Sequence, residues 1–296
     1  MKWGTQKARE AALGYALVLP SMVIFAIFFI YPVLDALWLS FHRWDLATDP
    51  EFVGLEQYQT LFEDEVFADV LINTALYSGA TVALTMGGGL LLAVMLNRRG
   101  AFSTFIQGSI FTSYIVSWVG VSLLWIWLLD AEYGLVNHML GAVGISPVDW
   151  LGDPDVALWT LVGVTVWKMV GYDMVIFLAG LQSIPEDLYE AAAIDGAGPW
   201  QRFWHITLPQ LAPTTLFLLI TSMLMTFQGF DVVRIMTQGG PVHATSIYVF
   251  YVYEQAFVLF KVGYASAAVV IFFIILMIIT AIQFRFFSAG RKGAGA

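Results

Sequence analysis

Long apolar stretches separated by short polar segments dominate the pattern along the chain. Six stretches are long enough to cross a bilayer, because a helix spans about 30 Å of hydrocarbon in about 20 residues with its backbone hydrogen bonds satisfied internally. They cover residues 13–34, 70–96, 105–129, 156–181, 214–236 and 262–287. The pattern therefore predicts a single all-α membrane domain over residues 1–296 with six transmembrane helices.

The lysines and arginines are distributed unevenly between the two sides of these stretches. Arg43 and Lys261 lie in segments on one side, with Arg234 near a span end. The other side carries nine of the 13: Lys2, Lys7, Arg9, Arg98, Arg99, Arg202, Arg285, Arg291 and Lys292. Since basic residues collect on the cytoplasmic side, both termini and the segment of residues 182–212 are predicted to be cytoplasmic.

Composition narrows the class of protein. Hydrophobic residues make up 59% of the chain and charged residues 12%, which excludes an ordinary soluble protein. A net charge of −9 argues against binding nucleic acid. There is no cysteine, and the four histidines lack metal-ligand spacing, so no metal site and no enzyme active site are predicted. The first apolar run is too long for a secretory signal, and we interpret it as a retained span.

The outer segment after the first span is acidic, with eight carboxylates between residues 41 and 69. Its second half predicts a short amphipathic helix at the membrane interface, built on Leu55, Tyr58, Leu61, Phe62 and Phe67. A solvated loop that needs charge and a specific docking surface are both compatible with this pattern.

The inner segment of residues 182–212 predicts two short helices. Ser183 can cap the first, and Glu186, three residues on, completes a capping box. Pro185 suits the first turn because its missing N–H is not needed there. The helix is predicted to stop at Gly196, which adopts positive φ without a Cβ penalty, and Pro199 opens the second helix.

Three consecutive alanines, Ala191 to Ala193, give the first inner helix a low profile beside the charge of Glu190. Such a face could enter a groove of another protein. Alanine also simply has high helix propensity, so a capped turn between two spans is an equally good reading of these residues alone.

A spacing within this segment resembles a known motif. Glu-Ala-Ala, then three residues, Gly, nine residues and Ile-x-Leu-Pro is met by Glu190, Ala191, Ala192, Gly196, Ile206, Leu208 and Pro209. It is similar to the cytoplasmic loop of membrane subunits of bacterial ATP-binding-cassette (ABC) importers. "FVGLEQYQTLF", "FDVVRIMTQGGPVHAT" and "GYASAAVVI" extend the resemblance to sugar and glycerol-phosphate permeases of the maltose-transporter type.

The resemblance implies a type I ABC importer permease fold in the bacterial plasma (inner) membrane. It implies that Glu190, Ala191, Ala192 and Gly196 form a coupling helix that docks on an ATPase. The implied partners are a second homologous permease, expected to be a different chain, an ATPase dimer, an extracytoplasmic solute-binding protein and membrane lipid. This chain has no G-x-x-x-x-G-K-[ST], so ATP and Mg²⁺ are expected on the partner ATPase and no cofactor on this chain.

Lys168 lies near the middle of the fourth stretch, and Tyr172 follows one turn later on the same helix face. An isolated lysine facing lipid would cost about 2.5 kcal/mol or more, so it should meet a cavity or a carboxylate. Either Lys168 lines a solute path with Tyr172, or it pairs with Asp231 or Asp173 as an internal support.

Further candidates for the path are Tyr114 and Trp118, at i and i+4 in the third stretch, and Thr226 in the fifth. Aromatic rings suit the apolar faces of sugars, and their polar groups suit hydroxyls. The resemblance implies that Tyr114, Trp118, Lys168, Tyr172 and Thr226 lie at or beside sugar-binding positions.

The predicted function is therefore transport of a sugar or polyol by alternating access, as one permease subunit of an ATP-driven importer. A stand-alone secondary carrier is the main alternative. Such carriers commonly have inverted repeats and helices broken at the midplane, and neither is evident in this sequence. A membrane scaffold that recruits an ATPase without transport is a third possibility.

Overall fold

The computed structural model describes residues 2–98 and 100–293. Arg99, counted above with the cytoplasmic basic residues, lies outside them. The described residues form helices and one two-stranded ribbon: α1 Lys2–Phe25, α2 Tyr31–Leu39, β1 His42–Arg43, β2 Glu51–Phe52, α3 Glu56–Glu63, α4 Glu65–Leu96, α5 Ala101–Ile115, α6 Trp118–Leu128, α7 Leu135–Ala142, α8 Pro154–Gln182, α9 Glu186–Ile194, α10 Pro199–Arg202, α11 Leu208–Gln210, α12 Ala212–Phe227, α13 Phe230–Met236, α14 Tyr248–Tyr253 and α15 Val262–Gly293.

One compact unit comprises residues 1–64 and 252–274. Its first span runs from Leu13 to Leu39 and is apolar. A π-helical turn at Ala26–Ile30 joins α1 to α2 just before Pro32. Proline has no N–H to give to the preceding turn, and a π-turn is one way in which a helix accommodates that loss. Large apolar side chains along this span are exposed, as suits a helix facing lipid.

The outer segment of this unit folds into the ribbon β1–β2 and helix α3. His42 pairs with Phe52 and Arg43 with Glu51 in the antiparallel ribbon. Arg43 also forms an ion pair with Glu56 at the start of α3. These contacts hold β1, β2 and the start of α3 together within the acidic segment.

Helix α3 corresponds to the amphipathic helix predicted here. Leu61 is fully buried, whereas Leu55 and Phe62 are exposed. Tyr58 Oη donates to Ser40 Oγ at 2.7 Å. Phe67 was wrongly assigned to this helix, because the chain turns at Asp64 and Phe67 belongs to α4.

A tight turn in the same segment is organised by Asp45. Its carboxylate accepts the Thr48 N–H at 3.0 Å, the Thr48 hydroxyl at 2.8 Å and the Ala47 N–H at 3.1 Å. These donors, the Thr48 N–H foremost, favour the charged carboxylate and hold the pKa of Asp45 below its ordinary value.

The second unit comprises residues 65–251 and 275–296. Its centre is the pair α4 and α8. Tyr77 Oη lies 2.8 Å from Thr165 Oγ1. Further along both helices, a Cβ on Gly89 would lie 2.7 Å from Asp173 Cβ and 2.9 Å from Met174 N. The contacts advance in the same direction along both helices, so α4 and α8 are parallel. The two helices approach closely at Gly89, which has no side chain.

Because α4 and α8 are parallel, the chain between them must return across the unit, and α5 and α6 make that return. They are bent by 98° at Val116 and Ser117, whose ψ values of 140° and 141° are extended. The third apolar stretch, predicted as one transmembrane helix over residues 105–129, is therefore two helices joined by a sharp bend. The statement that the chain lacks a broken helix was wrong. Within the described residues, five helices are long and apolar enough to cross a membrane, or six when the bent pair counts as one span.

The fourth and fifth apolar segments occupy Pro154–Gln182 and Ala212–Met236, the latter interrupted at Gln228 and Gly229 between α12 and α13. At the end where α4 and α8 finish, Arg98, Gln182 and Glu186 line one cavity. The segment after the second span and the segment after the fourth therefore lie at the same end of this unit.

Candidate functional site: an exposed helix pair and a cavity at a broken span

Helix α9 ends in a hydrogen-bonded turn that its own sequence determines. At its end, Gly196 has φ +80°, Gly196 N–H donates to Ala193 O at 3.1 Å, and Ala197 N–H donates to Ala192 O at 2.9 Å. This is the Schellman pattern, which satisfies carbonyls left over at a helix C-terminus. The predicted stop at Gly196 is thereby confirmed.

The start of α9 differs from the prediction. Pro185 is the N-cap residue, and no side chain caps the helix there. Ser183 instead ends α8, where its hydroxyl donates to Gly180 O at 2.7 Å. The predicted capping box was wrong because Ser183 bonds backward to the span that precedes it. Glu186 and Asp187 in the first turn still favour the helix dipole.

Helix α9 is hydrogen-bonded to the π-helical turn Phe203–Thr207 that continues α10. Tyr189 Oη lies 2.9 Å from Thr207 Oγ1, and Thr207 is buried. Gly198 N–H donates to Gln201 Oε1 at 2.8 Å at the start of α10, which begins at Pro199 as predicted. Force applied to α9 can therefore pass through a hydrogen-bonded contact to the residues leading into α12.

The residues predicted to couple lie on the exposed surface of this pair. Glu190, Ala191 and Gly196 are exposed, and Ala192 is half-buried. Beside them, Ile194 is 87% exposed. Ala192 and Gly196 also line a shallow cavity of about 360 Å³ with Arg202, His205 and Ile206.

The second group of predicted residues meets at the break between α5 and α6. Lys168 Nζ donates to the carbonyl oxygens of Ser113 at 3.2 Å, Tyr114 at 3.0 Å and Val116. These carbonyls lie at the C-terminal end of α5, where a helix leaves acceptors without intrahelical partners. Lys168 thus caps the broken helix, an arrangement that neither earlier alternative contained.

Aromatic rings surround the same ammonium group. Its nitrogen lies 4.9 Å from the centroid of the Trp118 ring and 5.9 Å from that of Tyr114. Tyr114 in turn stacks on Tyr172 with ring centroids 4.9 Å apart. Four of the five residues predicted for the path are therefore in one cluster.

Neither of the carboxylates considered as partners forms an ion pair with Lys168. Lys168 Nζ contacts backbone carbonyls, and Asp173 Oδ1 accepts the Ser222 hydroxyl at 3.1 Å, which links α8 to α12. Asp173 is fully buried, whereas Asp231 is exposed.

A cavity of about 790 Å³ opens beside the break. Tyr114, Trp118 and Lys168 line it, together with Gln228 and Asp231 from the interruption between α12 and α13. Thr226 is not among the lining residues. It is buried, and its hydroxyl donates to Met223 O in its own helix at 3.0 Å.

Two features of this site escaped prediction. Helices usually kink at proline or glycine, but this break falls at Val116 and Ser117. The residues at the break therefore did not predict it. The close approach of α5 to α8 depends on Gly171, where a Cβ would lie 2.7 Å from Ile110 O. Glycine alone does not reveal which helix will approach it.

Among residues 2–98 and 100–293, no group of three or more His, Cys, Asp or Glu side chains could hold a metal ion. What the site offers instead is a mainly apolar cavity with a few polar side chains at a broken membrane helix and, elsewhere, an exposed helix pair. These features define the class as a multi-span membrane transport subunit.

Comparison with known proteins specifies that class. The family described as "Binding-protein-dependent transport system inner membrane component" matches residues 85–292. A Yersinia pestis bv. Antiqua protein, "sn-glycerol-3-phosphate transport system permease protein UgpA", is 37% identical over 278 residues, 93% of each chain. "Probable ABC transporter permease protein YurN" of Bacillus subtilis is 32% identical over 285 residues, 95% of this chain and 97% of that protein.

Comparison with solved structures gives the same class of protein as the sequence relatives do. A chain from the "Crystal structure of a bacterial ABC transporter involved in the import of the acidic polysaccharide alginate" superposes with a TM-score of 0.84 at 26% identity, covering 96% of this chain and 98% of that one. A chain from the "Crystal structure of bacterial alginate ABC transporter in complex with alginate pentasaccharide-bound periplasmic protein" gives a TM-score of 0.83 at 26% identity, covering 94% of each chain.

The chain belongs to the family of binding-protein-dependent transport system inner membrane components. It is a multi-pass inner-membrane permease of a binding-protein-dependent ABC importer, and it is not itself an enzyme. The type I ABC importer permease fold predicted from the sequence is confirmed. Because α5 and α6 form a broken span, the absence of broken helices no longer argues against a secondary carrier. Family membership makes that distinction instead.

Proposed function

We propose that this permease moves a sugar or related polyol across the membrane by alternating access, driven by an ATPase that docks on the helix pair α9–α10. Glu190, Ala191, Ala192 and Gly196 make the docking surface. ATP and Mg²⁺ are bound by that ATPase dimer, and a second homologous permease, a different chain, completes the solute pathway. Both termini lie in the cytoplasm.

The single observation that carries this proposal is that helix α9 is exposed and is fixed by hydrogen bonds at two points. Its end is closed by the Schellman pattern at Gly196, and Tyr189 ties it to Thr207. A helix that must transmit motion needs such rigidity, whereas a simple connecting turn does not. Small side chains at Ala191 and Ala192 let a partner approach the backbone closely.

The solute path on this chain is proposed at the cavity beside the break. Tyr114 and Trp118 provide aromatic surfaces for sugar rings, and Tyr172 supports Tyr114 by stacking on it. Lys168 holds the broken helix in place beside them. Thr226 is buried in α12 behind the path and does not line the cavity, just before the interruption that supplies Gln228 and Asp231.

The coupling role is tested by replacing Glu190 with Trp and Gly196 with Leu together. We expect ATP-dependent uptake in vesicles carrying the complete importer to be abolished while the chain stays inserted, because the docking surface gains bulk and Gly196 loses its permitted φ of +80°. Gln210→Trp, at an exposed position later in the same segment, is the matched control and should keep uptake. Unchanged uptake in the double variant would contradict the coupling role.

A further inference from the structure

The cavity beside the break contains one cationic side chain, and its donors are already in use. An ammonium group has three protons, and Lys168 Nζ has three carbonyl partners, on Ser113, Tyr114 and Val116. The residue is only 2% exposed. Lys168 is therefore a positioning residue for the bent span and has no free donor for a solute.

Its positive charge is also partly offset. The C-terminus of α5 carries roughly half a negative charge from the aligned peptide dipoles. The negative faces of the Trp118 and Tyr114 rings lie 4.9 and 5.9 Å from the same nitrogen. Little positive potential therefore remains for attracting an anion into the cavity.

The charge that a solute does meet is negative. Among the described residues that line the cavity, the charged ones are Lys168 and Asp231, and Asp231 is exposed. A carboxylate at an open surface repels phosphate and carboxylate groups but accepts hydrogen bonds from hydroxyls. Gln228, exposed beside it, both donates and accepts.

We infer that the cavity on this chain selects an uncharged polyhydroxyl solute and disfavours an anionic one. Tyr114 and Trp118 would cover the apolar face of such a solute, while Asp231 and Gln228 bind its hydroxyls. This inference rests on the proposed transport function. It separates this chain from UgpA and from the alginate transporter, whose printed names specify sn-glycerol-3-phosphate and an acidic polysaccharide.

The charge preference is tested without knowing the solute, by quenching the fluorescence of Trp118 in the complete importer in nanodiscs at low salt. The signal of Trp118 is the difference between the natural chain and Trp118→Phe. Iodide serves as the anionic probe and acrylamide as the neutral one. We expect iodide to quench Trp118 less effectively than acrylamide does.

Asp231→Asn should raise iodide quenching of Trp118 by about twofold, since one repulsive charge is removed close to the ring, and should leave acrylamide quenching unchanged. Asp155→Asn, at the first turn of α8, is the matched control with no expected change. Equal quenching by both probes in the natural chain, or no response to Asp231→Asn, would overturn the inference.

A transport measurement separates this inference from the function on which it rests. ATP-driven uptake of glycerol 3-phosphate by the complete natural importer with its binding protein would overturn the charge preference and leave the transport function standing. Quenching as expected, without ATP-driven uptake of any solute, would count against the transport function alone.

Discussion

At the scale of single residues, buried polar side chains stabilise connections whose backbone groups have no partners within a regular helix. Asn137 in α7 is the clearest case and is nearly fully buried. Its amide donates to Ala131 O at 3.1 Å and Val148 O at 2.8 Å. Its carbonyl accepts from Val148 N–H at 3.1 Å and Trp150 Nε1 at 3.0 Å. One side chain thus joins the ends of the connection between α6 and α8.

Asn137→Ala should destabilise this connection by about 2–4 kcal/mol, because several buried donors and acceptors lose their partner at once. We expect the thermal inactivation midpoint of the purified importer to fall by several degrees. Met139→Ala, two residues on and 61% exposed, is the matched control and should shift it little. Equal midpoints for the two variants would show that the hydrogen bonds of Asn137 contribute nothing measurable.

Lys168 shows the limit of reasoning from residue type. Its depth in an apolar stretch correctly indicated that it needs a polar partner, but the sequence suggested carboxylates or a solute. Its actual partners are backbone carbonyls that are available only because α5 ends there. A broken helix supplies acceptors that a continuous helix keeps for itself.

At the scale of helices, close packing depends on particular glycines. Gly171 lets α8 approach the backbone of α5 at Ile110 and Phe111, and Gly89 lets α4 approach α8. Small residues at helix contacts are the usual basis of packing in membranes, where lipid is as apolar as leucine. Of the three consecutive glycines at residues 87–89, Gly89 makes the closest approach.

Gly171→Ala should force α5 away from α8, because a Cβ there would lie 2.7 Å from Ile110 O and 3.0 Å from Phe111 Cα, which are backbone atoms. We expect the free energy of unfolding to fall by about 1–3 kcal/mol, which is typical of overpacking, and ATP-driven uptake to be reduced.

Gly163→Ala in the same helix is the control for this variant, since a Cβ there meets nothing within 4 Å. It should be neutral or mildly stabilising, given the higher helix propensity of alanine. The measurements are the thermal midpoint and the initial uptake rate. A Gly171 variant as stable and active as the Gly163 variant would refute the packing argument.

At the scale of the whole molecule, the orientation in the membrane is the property that the other proposals assume. The chain has no cysteine, so a single introduced thiol reports its own side of the membrane. Ala191→Cys should react with an impermeant maleimide only in inside-out vesicles and should be protected when the ATPase is added. Val242→Cys, 88% exposed and predicted to lie on the outer side, should react only from the opposite face. Labelling of Ala191→Cys from outside would reverse the topology.

The sequence alone was enough to establish the all-α membrane class, the approximate positions of the apolar helices and the exposed helix that stops at Gly196. These features depend on local causes: the length of an apolar run, the distribution of basic residues, and the conformational freedom of one glycine. Only the tertiary structure decided that the third span is broken, that Lys168 caps it, and that Gln228 and Asp231 rather than Thr226 line the cavity. Those outcomes depend on which backbone groups of one helix another helix can reach, and that is determined by packing between distant segments of the chain.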